Sequence, residues 1–196
     1  MNNKNNLKHG AMFGLDARIA LAIFGALSVI SGASLFSAIQ KSKVTQTIAQ
    51  MKEVEKAVSQ QYLDTGSHMD LAGPHKFEIE DLFVDNSKSG WAGPYLSFEH
   101  EAPSKFFYLN SYGTVSLWAN ASWGLNSTVA PGEDIYCDAG EACSVWIGLY
   151  SVKKEIAEAI DKEVDGVSDP INGAIRLYED GVNYHLWLKT GIPYKV

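Results

Sequence analysis

Ile19-Ala-Leu-Ala-Ile-Phe-Gly-Ala-Leu-Ser-Val-Ile-Ser-Gly-Ala-Ser-Leu-Phe-Ser-Ala-Ile39 is the stretch from which the rest of the chain is read. It carries no charge, and at about 1.5 Å of rise per residue a run of roughly 20 residues spans about 30 Å, the thickness of a bilayer core. Asp16 and Arg18 stand at its head, behind a polar leader, Met1 to Gly10, that holds Lys4 and Lys8. Taking a carboxylate into hydrocarbon is costly, so Asp16 is by default a functional residue that needs a partner. Gly25, Gly32 and the interspersed Ala and Ser residues leave small-residue faces on which another helix packs closely.

Outward from this run the helical pattern continues. No Pro or Gly occurs from Lys41 until Gly66, and Val44, Ile48, Met51, Val54, Val58 and Tyr62 recur three or four residues apart. That spacing predicts an amphipathic helix, stopped by Thr65-Gly66-Ser67. The two parts together predict one helix from about Leu15 to Leu63, on the order of 70 Å long. Its first half is apolar all round and its second half has one apolar face, which should lie against the domain that follows. The expected organisation is a leader over 1–11, a membrane and assembly helix over 12–63 and a globular head over 64–196.

Within the head, Phe106–Leu109, Thr114–Trp118, Ser144–Leu149 and Tyr184–Leu188 are rich in aromatic and β-branched residues and predict strands, with Asn110-Ser-Tyr-Gly113 as a hairpin turn. Val152, Ile156, Ile160 and Val164 recur every four residues between charged positions that include Glu158 and Asp161. They predict a second amphipathic helix ended by Asp165-Gly166. A long N-terminal helix packed on a small antiparallel sheet with a second helix is an α+β fold.

Between the long helix and the strands lies Gly90-Trp91-Ala-Gly93-Pro94-Tyr95-Leu96. Gly90 and Gly93 permit a tight turn, Pro94 fixes its exit, and Trp91 and Tyr95 are suited to cover the helix's apolar face. This segment, with the basic leader, the carboxylate-headed apolar run and the long helix, resembles the prepilin-like proteins: type IV pilins and the pseudopilins of type II secretion. The resemblance implies cleavage after the leader by a prepilin peptidase, methylation of the new amine and assembly through the N-terminal helix. Gly10, Ala11 and Met12 bracket the cut. Cleavage after Gly10 puts Asp16 sixth in the mature chain, whereas cleavage after Ala11 puts it fifth, where the family carries its carboxylate. The chain departs from the family in having Asp where Glu is usual, in Arg18, and in lacking a Pro within the apolar run.

The resemblance also gives Asp16 a role. A free terminal amine on one subunit and Asp16 on its neighbour would pair in a low-dielectric setting, where either charge alone is heavily penalised, and so fix the register between subunits. Function is then mechanical or adhesive rather than catalytic. The partners are other copies of the chain in a helical filament, the peptidase, and the inner membrane before assembly, with a periplasmic or extracellular filament afterwards.

Charge and cysteines agree with export and exclude other classes. The formal net charge is −7, and loss of Lys4 and Lys8 takes the mature chain to about −9, which argues against a nucleic-acid partner. Cys137 and Cys143 are too far apart for a CxxC redox pair and lack a second ligand pair for zinc, so a disulfide in an oxidising compartment is the expected state. His68, His75, His100 and His185 are scattered, and the chain has neither a nucleophile elbow nor a phosphate loop. Glu133, Asp134, Asp138 and Glu141 form an acidic loop read as solvated. Calcium is the alternative there, since some major pseudopilins hold it in a loop of the sheet. Asn120-Ala-Ser122 and Asn126-Ser-Thr128 fit the glycosylation sequon. Two other classes stay open: a secreted binding domain released at Ser34 after a signal ending Ser31-Gly32-Ala33, and a membrane-tethered periplasmic binding domain that retains Met1.

Overall fold

The computed structural model describes residues 9–73, 75–100, 105–109, 112–121, 137, 140 and 142–195, with side chains along the first helix from Gly14 onward. That helix, α1, runs His9–Thr65 and so begins earlier and ends later than its periodicity predicts. By internal contacts the chain divides into two units, Met1–Ser42 and Lys43–Val196. In the first, the described side chains from Gly14 to Ile39 lie on a helix exposed on every side. In the second, Val44, Met51, Val54, Ala57 and Val58 enter the core, whereas Tyr62, at the end of the predicted stripe, is exposed and stacks on His68 at 4.4 Å. Each fully buried Val or Met contributes about 2 kcal/mol of burial, enough to hold an amphipathic helix that would be marginal alone.

The sheet is built from β1 (Glu99–His100), β2 (Phe107–Leu109), β3 (Tyr112–Asn120), β4 (Cys143–Val152), β5 (Ile175–Asp180) and β6 (Asn183–Tyr194), with α2 (Lys154–Asp165) between β4 and β5. Its order is β1-β2-β3-β4-β6-β5, and every neighbouring pair is antiparallel. β4 and β5 therefore run parallel to each other on either side of β6, linked by the α2 crossover. Residues 75–77 continue the edge of β3 beyond β2, with the Phe77 N–H donating to Leu117 O at 3.0 Å and Lys76 bridging Trp118.

Alternation along the strands separates two faces. Val115, Leu117, Val145, Ile147, Leu149, Leu177 and Leu186 join α1 and α2 in one core, with Ile156, Ala157 and Ile160 as the buried face of α2. The opposite face carries Trp146 and Trp187, both fully buried, packed by Trp118 and Tyr150. Gly148 sits under that cluster, where a Cβ would overlap the Trp187 ring. Only glycine lets the indole lie across β4.

Several expectations are corrected. Tyr112 and Gly113 belong to β3, with Leu109 paired to Tyr112, so the turn lies at 110–111, outside the described residues. Val152 ends β4 rather than starting α2, Val164 is partly exposed, and Asp161, assigned to the polar face, is fully buried. Strands β1 and β5 were not predicted, and β6 extends well past Leu188. That extension depends on a bulge: Trp146 pairs with Lys189 but Ser144 with Pro193, leaving extra residues around Thr190. The Thr190 hydroxyl donates to Val145 O at 2.6 Å and accepts the Ile192 N–H at 3.2 Å, while the Gly191 N–H donates to Glu55 Oε1 of α1 at 3.1 Å.

Candidate functional site

Gly10, Ala11 and Met12 fall within α1. Asp16 and Arg18 are exposed on the same helix and two positions apart, so they point to different sides and are not built to pair with each other. From Leu15 to Ile39 the large apolar side chains are exposed too, among them Leu21, Phe24 and Val29, each at 70% or more. α1 is the one helix among the described residues long and apolar enough to cross a membrane. A bare helix of this kind has apolar surface on all sides and demands lipid or other helices around it.

At the other end of α1 the Gly-Trp segment ties the chain down. Gly90, at φ +85°, presses its backbone against the Asp64 carbonyl, where any Cβ would collide. The Trp91 Nε1–H donates to Asp81 O at 2.7 Å, and the Tyr95 hydroxyl accepts the Ala92 N–H at 3.0 Å while facing Asp64. Burial is the main reason the Tyr95 phenol is held above its ordinary pKa. Tyr95 thus faces the polar last turn of α1 at Asp64 and packs edge-on against Trp91, and Leu96 is the residue of this segment fully buried in the core. Beside them the Lys88 ammonium reaches the buried Asp81 carboxylate at 2.5 Å, Asp70 at 3.3 Å and the His68 carbonyl at 3.4 Å. Asn86 Nδ2 completes the shell of Asp81 at 2.9 Å.

Cys137 and Cys143 form a disulfide with Cα atoms 5.9 Å apart, as the spacing predicts. A loop closed over a sequence separation of 6 is short, and restricting it in the unfolded chain contributes about 2 kcal/mol. Reduction is accordingly expected to lower the urea midpoint of the head by about 1 M, at an m-value of about 2 kcal/mol/M, while leaving it folded, and equal midpoints with and without reductant would contradict this. Glu133, Asp134, Asp138 and Glu141 lie outside the described residues, as does Asn126. Among the described residues no group of three acidic, His or Cys side chains is arranged to hold a metal ion. Asn120 is buried at the end of β3, with its carbonyl accepting the Trp146 Nε1–H, which does not suit a glycan acceptor.

The histidines do not converge. His68 stacks on Tyr62, His100 stacks on Phe83 at 4.0 Å, His185 lies between Tyr150 and Tyr178, and the His75 carbonyl accepts the Ala119 N–H. Burial holds His68 and His75 below the ordinary imidazole pKa. Lys76 has its ammonium 3.3 Å from the Phe106 ring centroid, and burial together with nearby Lys105 lowers its pKa to about 8.

One cluster was missed by sequence reasoning. Asp161 and Asp165, one turn apart near the C-terminal end of α2, both face the connection to β5. Asp161 Oδ2 accepts the Asp169 N–H at 2.8 Å. Asp165 accepts the Ala174 N–H at 2.9 Å and the Ile175 N–H at 2.8 Å, and its carboxylate fills the space where a Cβ on Gly173 would be. Asp169 in turn accepts the Ile171 and Asn172 N–H groups. Burial and the neighbouring Asp165 push Asp161 up to about 6, against the pull of its bond from Asp169. The Asp-x-x-x-Asp-x-x-x-Asp spacing was available as a signal, but it reads as a solvated helix face when burial is unknown.

These features define a class: a chain whose N-terminal helix is of membrane length and whose exposed apolar half leads into an α+β head closed by a disulfide. Comparison with known proteins finds no matching family model, no similar curated protein and no similar solved structure.

Proposed function

We propose that the chain is a structural subunit of a helical pilus or pseudopilus filament, made in the inner membrane, trimmed by a prepilin peptidase and assembled through α1. One observation carries this reading. An uncharged helix of membrane length, headed by Asp16, passes without a breaker into a helical stretch whose apolar face belongs to the core of the head. A plain anchor needs neither the carboxylate at its head nor a continuous helix into the folded domain. In a filament, helix-helix burial would offset extraction of the apolar segment from lipid, and a head-to-tail contact that does not close on itself propagates. The reading gives the protein no catalytic role and no nucleic-acid partner.

The test is the N-terminal residue and intact mass of the protein taken from its native envelope. A chain beginning at Ala11 or Met12 with a methylated amine is expected. A start at Ser34 would instead mean a released binding domain, and retained Met1 a simple tether. Replacing Gly10 and Ala11 together by bulky residues should block trimming, and unchanged processing of that variant would displace the cleavage site from this position.

A further inference from the structure

The connection between α2 and β5, residues 166–174, is bonded by the carboxylates of Asp161, Asp165 and Asp169 as well as by backbone bonds from Leu177 to Pro170 and from Lys189 to Ala174. Asp165 is the acceptor for two backbone N–H groups at the start of β5, those of Ala174 and Ile175. Asp161 is fully buried, and its Oδ1 has no hydrogen-bond partner although the Asp165 carboxyl lies within hydrogen-bonding reach. Both sit in the last turns of α2, where the helix dipole places partial negative charge and further disfavours a second anion. Two adjacent carboxylates in such a place do not both ionise readily, and one retains a proton.

We propose that the α2–β5 connection is a proton-held latch, in which a proton on Asp161 Oδ1 is donated to Asp165 and keeps residues 166–174 seated on the end of α2. Loss of that proton to solvent puts two negative charges side by side and frees the segment that exposes Val167 and Ile171. The surroundings do not cancel the effect. From the connection, the Asp169 N–H, at Oδ2, and the Ser168 side chain both bond to Asp161 and favour its anion, but burial and the neighbouring Asp165 outweigh them. Arg176 from β5 faces Asp161, Asp165 and Asp169, but its guanidinium donates to the Gly173 and Ile175 carbonyls. Ile160 and Val164 of α2 line a cavity of about 40 Å³ to which α1 contributes Lys52 and Glu55, a pair of opposite charge, and β6 contributes Leu188. The segment carrying the exposed Val167 and Ile171 is therefore held or released according to pH, a property separate from filament assembly.

The sign follows from the raised pKa of Asp161 in the closed state, about 6 against 3.8 once released to water. The latch is strongest at low pH, and its hold is lost as pH rises through the closed-state value. From pH 5 to pH 8 the opening equilibrium is expected to rise about tenfold. Hydrogen exchange of the Asp169, Ala174 and Ile175 amides in the full chain, in detergent and corrected for intrinsic rates, reads this directly. Wild-type protection should fall about tenfold between the two pH values. Asp161→Asn, a neutral group that still donates to Asp165 and accepts from Asp169, should hold those amides equally well at both. Equal wild-type protection at pH 5 and pH 8, or an Asn variant that loosens as the wild type does, would overturn the latch.

Discussion

Filaments are expected to be lost when Asp16 is replaced by alanine, while insertion of the chain into the membrane continues. The apolar run from Ile19 to Ile39 is untouched by the change, so the hydrophobic contribution to insertion stays. In the proposed filament each new terminal amine faces the Asp16 of a neighbour across a low-dielectric interface. Removing the carboxylate leaves that amine buried without a counter-charge, a cost of about 3–5 kcal/mol for a broken buried pair. At 1.4 kcal/mol per factor of ten, the concentration needed for assembly should rise by about 100-fold or more. Asp16→Glu keeps the charge and should retain assembly, and Asp16→Asn should behave like alanine. Electron microscopy of sheared filaments beside membrane fractionation separates the two steps. Normal filaments from Asp16→Ala would remove the ion-pair role.

The second large effect is expected in the head. Lys88→Ala should destabilise it by about 3 kcal/mol, because Asp81 is then left buried without its cation. The exposures decide which partner matters: the Asp81 side chain is 6% exposed and that of Lys88 19%, whereas Asp70 is 76% exposed and stays solvated whatever Lys88 does. The double change Lys88→Ala with Asp81→Asn should recover part of the loss, since an amide keeps polar contact with Asn86 without a charge to neutralise. Thermal unfolding of the two variants beside the wild type measures this, with a drop on the order of 10 °C expected for the single change. A single variant that melts with the wild type would mean that water already reaches Asp81.

Why some elements were legible in the sequence and others not comes down to range. α1 announces itself locally, through an uncharged run and then a stripe from Val44 to Val58, and Gly166 at φ +80° ends α2 where Asp165-Gly166 predicts. The central strands are dense in aromatic and β-branched residues. β5, Ile175-Arg-Leu-Tyr-Glu-Asp180, alternates correctly but is short and half charged, and it becomes a strand by pairing with β6. The end of β6 contains Gly191 and Pro193, which discourage a strand reading, and it is retained by Thr190 reaching Val145 and by Glu55 reaching Gly191, 136 residues apart. The same limit hid Asp161: its charge says surface, and only the packing of α2 on the core buries it. The apolar run from Ile19 to Ile39, by contrast, is written in composition alone, so a helix of membrane length was legible before any fold was known.

The strand order has a consequence for the order in which the head can fold. β6 is the latest of the six strands in chain order, yet it lies between β4 and β5 and pairs with both. Until Asn183–Tyr194 has been synthesised, β4 lacks its neighbour on one side and β5 has none. A nascent head therefore waits with open strand edges, the state most prone to wrong pairing with another chain. A chain cut before Asn183 lacks the strand that joins β4 to β5 and never acquires a finished sheet.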